Sequence, residues 1–411
     1  MNVLRFINDG GGFILKILLV NKFHFQKGGA ETYYFTLADL LRRAGHQVVF
    51  FSMKHKNNLK CNQDYYFVEN REYVKKSSLF AKLKAFKNFI YSKEAYKNIS
   101  ELIEKEKPDL AILNNIHRQL TTSIIDALYE HNIKIYWVVH DLIMLCPNYQ
   151  MLDGNGKICE DCCTGEFKNC IIKKCVKNSK IKSYLAVKEA KYNLNHRTYD
   201  MIDLFITPSN FYRKKLIEYG FNPNKIKYVP NPLSINFEFE NNNKDDGYIL
   251  YFGRLSREKG IKNLIDAMKN IDYKLVILGT GPLENELKQY SKNYKNIIFE
   301  GFKTGDELYG YISKARCVVL PSEWYENGPY SAMEALGKGK PLIVSNNGGL
   351  SELVTQGENG YIFNNVDELS FYLKKIIEDC DYDMMCYKAY KKAKSSFDPE
   401  KYLEKLDLDN N

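Results

Sequence analysis

The sequence predicts an α/β protein made of two consecutive, Rossmann-like, doubly wound parallel-sheet domains facing a cleft. Three observations carry this expectation. The chain has 411 residues, two to three times a typical domain of about 150. Short apolar runs alternate with helical patterns across connections of a few residues, the sequence form of a parallel βαβ unit. The alternation fails once near the middle of the chain and then restarts.

Taken in order, residues 15–21 (LKILLVN) are the first apolar run, followed by Gly28 and Gly29 and a helical pattern over 31–43. Residues 47–52 (QVVFFS) are the second run. A strand at 109–113, a helix at 122–131 and a strand at 134–139 continue the pattern, and 204–207 adds a strand before Pro208. Between 229 and 247 periodicity fails, two prolines appear and an Asn/Asp cluster closes the stretch, which marks 231–247 as a linker. Strands at 248–252, 274–278, 296–299, 317–320 and 341–345 then alternate with helices at 259–270, 283–290 and 331–337. The expected domains are 15–230 and 248–395, with a helix in 396–411 returning to the first domain. Residues 1–12 are polar and glycine-containing and read as an extension preceding the fold.

Composition narrows the class. At 45% hydrophobic and 27% charged, with 11 prolines, the chain is globular rather than disordered or collagenous. No run approaches the roughly 18 to 20 apolar residues of a membrane-spanning helix, and the N-terminus lacks the pattern of an export signal. A cytoplasmic, reducing location is therefore expected, in which ten cysteines need not form disulfides. Lys+Arg number 59 against 50 Asp+Glu, a net +9, and only 10 of the cations are arginine. Such an excess points to an anionic partner or simply to a solvated surface, and position has to decide.

Ligands of doubly wound sheets bind beyond the carboxyl ends of the strands, so the loops after Val20, Val139, Phe252, Leu320 and Val344 are where chemistry is expected. After Phe252 the chain reads Gly253-Arg254-Leu255-Ser256-Arg257-Glu258-Lys259-Gly260. Two placed cations, Arg254 and Lys259, beside a helix N-terminus suit a diphosphate; a solvated basic loop reads equally well. After Leu320, Glu326 lies on a loop and Glu334 lies eight residues on, two turns into a helix that Pro329 can start. Each carboxylate can accept hydrogen bonds from vicinal hydroxyls, so the pair can grip two sugar rings.

The segment from Glu326 to Glu334 resembles the E-x7-E motif of the retaining glycosyltransferases of family 4, which have the two-domain GT-B fold. The resemblance runs through most of the chain: Gly28-Gly29-Ala30-Glu31, His140-Asp141, Val229-Pro230-Asn231, Gly253-Arg254 with Lys259-Gly260, Leu278-Gly279-Thr280-Gly281-Pro282, and Gly348-Gly349-Leu350-Ser351-Glu352-Leu353-Val354. It implies that Glu334 holds the ribose and Glu326 the transferred sugar. Arg254 and Lys259 would bind the diphosphate, completed by backbone N–H groups at Gly28, Gly29 and the helix start at Gly328 and Tyr330. His140 would lie against the sugar at the reacting centre. Where many members read E-P-F-G, this chain reads Glu326-Asn327-Gly328-Pro329, and Pro329 has no N–H to offer.

The implied activity is hexosyl transfer from a nucleoside-diphosphate sugar, uridine being the commonest base, to a cell-surface glycan such as capsule or lipopolysaccharide or to its lipid carrier. The transfer would be retaining and independent of metal, the two cations standing where a metal would. Asp379-Cys380-Asp381-Tyr382-Asp383 contains D-x-D spacing but follows an amphipathic run and reads as a helix terminus. A nucleotide-sugar epimerase or hydrolase of the same fold is the alternative. A basic nucleic-acid-binding protein is the remote one, since arginines are scarce and no binding module is recognisable.

Six cysteines fall between 146 and 175. The spacing Cys159-x-x-Cys162 with Cys170-x4-Cys175 is close to that of a zinc ribbon. A structural zinc, plain reduced thiols and disulfides are the three readings of what looks like an insertion capping the acceptor pocket. The lysine surplus sits in the first half: residues 75–97 carry net +6 and 168–197 net +8. Leu79, Phe80, Leu83, Phe86 and Ile90 at helical spacing suit either an anionic membrane interface or the sheet surface. A peripheral contact with the inner face of the cell membrane would suit a lipid-linked acceptor.

Overall fold

In the computed structural model, which describes residues 14–70, 89–235, 237, 239, 245–406 and 408, the apolar runs form two six-stranded parallel sheets. The first half gives β1 (Lys16–Val20), α1 (Gly29–Arg43), β2 (Gln47–Phe51), α2 (Lys93–Glu106), β3 (Leu110–Leu113), α3 (Ser123–Glu130), β4 (Lys134–Val138), α4 (Lys168–Ile172), α5 (Lys180–Asn195), β5 (Leu204–Thr207), α6 (Asn210–Glu218) and β6 (Ile226–Tyr228). The order across this sheet is β2-β1-β3-β4-β5-β6. The second half gives β7 (Tyr248–Phe252), α7 (Ile261–Met268), β8 (Lys274–Leu278), α8 (Glu284–Tyr290), β9 (Ile297–Gly301), α9 (Gly305–Lys314), β10 (Cys317–Leu320), α10 (Tyr330–Gly337), β11 (Leu342–Ser345), β12 (Gly360–Phe363), α11 (Val366–Ile377), α12 (Tyr382–Phe397) and α13 (Glu400–Leu406). This sheet runs β12-β11-β10-β7-β8-β9.

Central strands such as β7 are buried along their whole length, because helices cover both faces of a parallel sheet and leave no wet side. That is why they appear in the sequence as unbroken apolar runs. Strand order reverses between β1 and β3 in one sheet and between β7 and β10 in the other. At each reversal the loops leave in opposite directions and open a crevice at the carboxyl ends. The last helix crosses back: Tyr402 and Leu406 of α13 are buried against α1, where the Tyr402 and Tyr33 hydroxyls lie 2.5 Å apart.

Several elements differ from expectation for identifiable reasons. Lys259 does not start a helix: Arg257–Lys259 is a 3-10 turn closed by Gly260 in the left-handed region, and α7 begins at Ile261. Helix α5 carries no apolar stripe because its buried face is Ser183, Ala186, Val187, Glu189 and Asn193. β6 spans three residues, too few to show a period. Of the lysine-rich amphipathic stretch, Leu79, Phe80, Leu83 and Phe86 lie outside the described residues. Its last member, Ile90, is half-buried, and α2, which follows, buries Ala95, Ile99, Leu102 and Ile103 and leaves Lys93 and Lys97 in solvent. Among the described residues no helix is long and apolar enough to cross a membrane.

The expected zinc knuckle is not formed. Cys162, Cys170 and Cys175 turn into a small apolar core with Phe167, Val176, Ala186 and Val187. Cys159 is half-buried with Lys173 Nζ donating to its Sγ at 3.4 Å. Cys146 and Cys163 belong to the main core of the first sheet. Among the described residues no three His, Cys, Asp or Glu side chains converge as metal ligands. All ten cysteines are free thiols; most fill volume as small hydrophobes.

The approach of the loops at the β7/β10 crevice depends on Gly260. Its φ is +64°, and a Cβ there would stand 1.9 Å from the Pro321 carbonyl oxygen. Gly260→Ala is expected to cost more than the ~1 kcal/mol of a left-handed alanine, read as a lowered Tm; an unchanged Tm would show that the two loops do not need this contact.

Candidate active site

The β7/β10 crevice is where one of the sequence-predicted carboxylates, Glu326, meets one of the cations, Lys259. The loop after β7 delivers Lys259 and the loop after β10 delivers Glu326, and Lys259 Nζ donates to Glu326 Oε1 at 2.6 Å. Ser322 Oγ donates to the same oxygen at 2.6 Å. The Glu326 side chain is only 7% exposed. Burial pushes its carboxyl upward, but the Lys259 charge and the hydrogen bonds from Lys259 and Ser322 outweigh it and hold Glu326 below its ordinary value of 4.5. Its backbone is clamped as well: Gly349 N–H donates to Glu326 O at 2.7 Å. A Cβ on Gly348 would stand 2.6 Å from both Glu326 N and O.

Glu334 has the opposite environment. It lies in α10, and among the described residues its carboxylate has neither ion pair nor hydrogen-bond donor. Burial alone raises it to about 7. Pro329 is the N-cap of α10, one position before the first-turn N–H groups of Tyr330 and Ser331. Its missing N–H therefore takes nothing from the helix itself. Tyr330 donates to Pro232 O at 3.3 Å, and its ring lies 3.5 Å from where a Gly29 Cβ would stand. The start of α10 thus faces the start of α1, whose N-cap is Gly28. Gly328, with φ +65°, lies over Pro208 of the first domain.

Arg254 is exposed, its carbonyl held by the Tyr251 hydroxyl at 3.0 Å. Its charge reaches Lys27 and Tyr149 of the first domain, lowering the one and counteracting the rise of the other. His140 follows β4, with Nε2 2.8 Å from Asn114 Oδ1 and its ring edge-on to Tyr33 at 5.2 Å. Burial, aided by the Lys22 charge, depresses it to about 3. It is a neutral imidazole whose Nε2–H is donated to Asn114, so it is no proton carrier near neutral pH.

Asn327, where this chain departs from E-P-F-G, ties the two halves together. Its Nδ2 donates to Val139 O at 2.5 Å and its Oδ1 accepts from Ser209 Oγ at 2.8 Å. Asn210 N–H donates to Glu352 Oε2 at 2.9 Å, and the Tyr325 hydroxyl reaches Glu160 Oε1 of the insertion at 2.7 Å. Sequence reasoning noted the departure at Asn327 but missed these partners, because they are more than a hundred residues away.

Two family models cover the chain: Glycosyltransferase Family 4 over residues 27–237 and Glycosyl transferases group 1 over 234–393. Two relatives from Methanocaldococcus jannaschii carry the description uncharacterized glycosyltransferase. MJ1607 is 33% identical over 44% of this chain and 48% of its own length, and MJ1178 is 24% identical over 89% and 88%. The lipopolysaccharide 1,2-N-acetylglucosaminetransferase of Salmonella typhimurium is 31% identical over 29% of this chain and 35% of its own. In structure, Anabaena Alr3699/HepE, solved with UDP-glucose, superposes with a TM-score of 0.65 at 19% identity, covering 96% of this chain and 99% of that one.

Removing one member of a buried pair strands the other. Lys259→Met is expected to lower unfolding free energy by about 3 kcal/mol, and Lys259→Met with Glu326→Leu to recover most of it; equal losses in the two would show that a stranded Glu326 charge is not what destabilises the single variant. Because folding lowers the Glu326 carboxyl, the stability it contributes is present above pH 4.5 and lost as pH falls through the folded value. Acid titration of the double variant should lack that component.

Proposed function

The chain belongs to glycosyltransferase family 4, and from that premise we propose that it transfers a sugar from a nucleoside-diphosphate sugar to a glycan or lipid-linked acceptor, with retention at the anomeric carbon. The observation that carries the reading is Glu334, a carboxylate without an ion pair or hydrogen-bond donor among the described residues, on a helix whose N-terminus faces a second helix N-terminus across the cleft. Such a carboxylate is suited to the ribose hydroxyls, and the helix starts to the diphosphate.

Breaking the anomeric bond leaves an oxocarbenium-like sugar and puts negative charge on the departing diphosphate. Arg254 and Lys259, with N–H groups at Gly28, Gly29, Tyr330 and Ser331, stabilise that charge. Lys259 is shared with Glu326, so the cation that meets the phosphate also keeps Glu326 ionised to accept hydroxyls of the transferred sugar. His140, neutral and fixed by Asn114, lines the sugar without taking its proton. The UDP-glucose bound by HepE supports a uridine donor. The activity named for the Salmonella relative supports a cell-surface glycan as acceptor. Ile172, Ile181 and Tyr184 are exposed among Lys174, Lys177, Lys180 and Lys182, which supports contact between this face and an anionic bilayer.

Calorimetry with UDP tests the donor site. Glu334 must ionise to accept ribose hydroxyls, so affinity should rise with pH through about 7 beyond the nucleotide's own ionisation. That extra rise should vanish in Glu334→Gln, and identical pH profiles would overturn the role. Arg254→Ala should depress turnover by about tenfold or more with the fold intact. Phosphatidylglycerol vesicles should sediment the protein, and replacing Lys174, Lys177, Lys180 and Lys182 by Glu should release it; retention would remove the membrane reading.

A further inference from the structure

The insertion after β4 ends in a turn that brings two of its thiols together. Helix α4 stops at Ile172, and Lys174 just beyond it takes the left-handed conformation, φ +50°. Lys174 N–H donates to Ile171 O at 3.2 Å and Cys175 N–H to Cys170 O at 3.1 Å. This pair of bonds is the Schellman ending of a helix, which sets the third residue from the helix end beside the second residue after the C-cap. Here those residues are Cys170 and Cys175. The Cys170 thiol donates a hydrogen bond to the Cys175 sulfur, and both side chains turn into the same small apolar core. A disulfide needs Cα atoms about 4.4–6.8 Å apart and side chains directed at one another. Two residues joined by a backbone hydrogen bond, with their sulfurs in contact, suit both conditions without movement of the chain.

The two thiols are not alike. Cys170 is 1% exposed, and its hydrogen bond to Cys175, together with burial, keeps its proton on well above the ordinary thiol range. Cys175 retains 9% of its surface, next to the exposed Lys173 and Lys174. Its sulfur accepts from Cys170 and from Gly154 N–H and feels the Lys173 charge, which together outweigh burial and Asp153 and hold it below the ordinary value of 9.0. A thiol that ionises readily beside one that keeps its proton is a nucleophile with its resolving partner in place.

Cys175 also supports the turn that reaches the second domain. The turn at 153–156 lies directly on this loop: a Cβ on Gly154 would stand 2.0 Å from Lys173 O. On its other side, Asn155 O accepts from Arg257 Nη2, and a Cβ on Gly156 would stand 2.9 Å from Arg257 Cζ. Arg257 belongs to the loop after β7, between Arg254 and Lys259. The sulfur of Cys175, the turn and a cation of the second domain thus form one chain of contacts.

We propose that Cys170 and Cys175 are a redox-modification site, a dithiol that a hydroperoxide converts to a disulfide, and that its state sets the hold of the 153–156 turn on Arg257. The Cys175 thiolate attacks one peroxide oxygen; the O–O bond breaks, hydroxide leaves and Cys175 becomes a sulfenic acid. The Cys170 sulfur then attacks the Cys175 sulfur. The S–S bond forms, the S–O bond breaks, and the hydroxyl leaves as water with the Cys170 proton. The sulfurs lose two electrons in all, and the peroxide is reduced to hydroxide and water. A disulfide sulfur accepts a hydrogen bond more weakly than a thiolate, so Gly154 loses its acceptor and the turn loosens. The site stands independently of the sugar-transfer reading.

The full chain, treated with hydrogen peroxide, alkylated with iodoacetamide and digested, should yield Cys170 joined to Cys175 by mass spectrometry, and dithiothreitol should restore both thiols. In Cys170→Ser, dimedone should trap a sulfenic acid at Cys175, whereas in Cys175→Ser it should trap none at Cys170. Both thiols alkylated after peroxide, a bridge to Cys159 or Cys162 in place of this one, or dimedone on Cys170 overturns the site. The mapping on the unsubstituted chain decides the matter even where a variant does not fold. Hydrogen exchange in 153–157 and 255–260 should run about tenfold faster in the oxidised protein than in the reduced; equal exchange overturns the coupling to Arg257.

Discussion

The buried ion pair between Lys259 and Glu326 is the constraint on which the cleft depends. Burying each charge costs several kcal/mol, offset only if the partners meet in good geometry and the remaining lone pairs are satisfied. At 2.6 Å, with Ser322 donating to the same oxygen, the geometry of the pair is good and Oε1 accepts twice. Two glycines make the meeting possible: Gly260 lets the loop after β7 lie on Pro321, and Gly348 lets the next loop lie along the backbone of Glu326. Once Glu326 is fixed, the residues after it have little freedom. Asn327 is presented to Val139 and Ser209 of the first domain, and Pro329 starts α10 against α1. The interdomain seam and the facing helix starts therefore follow from how one carboxylate is buried.

The same segment places two glutamates eight residues apart in opposite electrostatic states. Glu326 has Lys259 and Ser322 as donors and is held below its ordinary value, whereas Glu334 has burial and, among the described residues, no donor, and is raised to about 7. A paired carboxylate is a permanent acceptor; an unpaired one keeps its hydrogen-bonding capacity for a ligand. The two strand reversals repeat this division at the scale of domains. The crevice of the second sheet holds the Lys259–Glu326 pair, while in that of the first neither Lys22 nor Asp141 has an ion-pair partner among the described residues and His117 Nε2 is buried without a hydrogen bond.

Most strands could be read from the chain because parallel strands covered on both faces are uninterrupted apolar runs, and β5, β7, β8 and β10 match their predicted bounds. Helices whose buried face is polar, such as α5, gave no stripe to read. Of the candidate residues, Glu326, Arg254, Lys259, Gly28 and His140 stand in strand-end loops, and Gly29 and Glu334 in the helices that follow, as their places in the sequence led one to expect. The partners of Asn327 and the pairing of His117 with Glu189 were not legible, since neither is local: Glu189 lies 72 residues beyond His117. Cysteine spacing misled, because sequence distance says nothing of side-chain direction, and three of the four candidate thiols turn into an apolar core.

By itself, then, the sequence determined the α/β class, the two sheets and the strand-end loops in which the charged residues stand, since these follow from local periodicity and from where a βαβ chain must turn. Tertiary structure alone decided which charges are neutralised and which stay open. Arg254 and Lys259 are equivalent in sequence as loop cations, yet one is exposed and the other is half-buried against the buried Glu326. That difference arises because desolvation and Coulomb energy depend on distances through space, set by loops from different strands closing over one another, and no spacing along the chain encodes them.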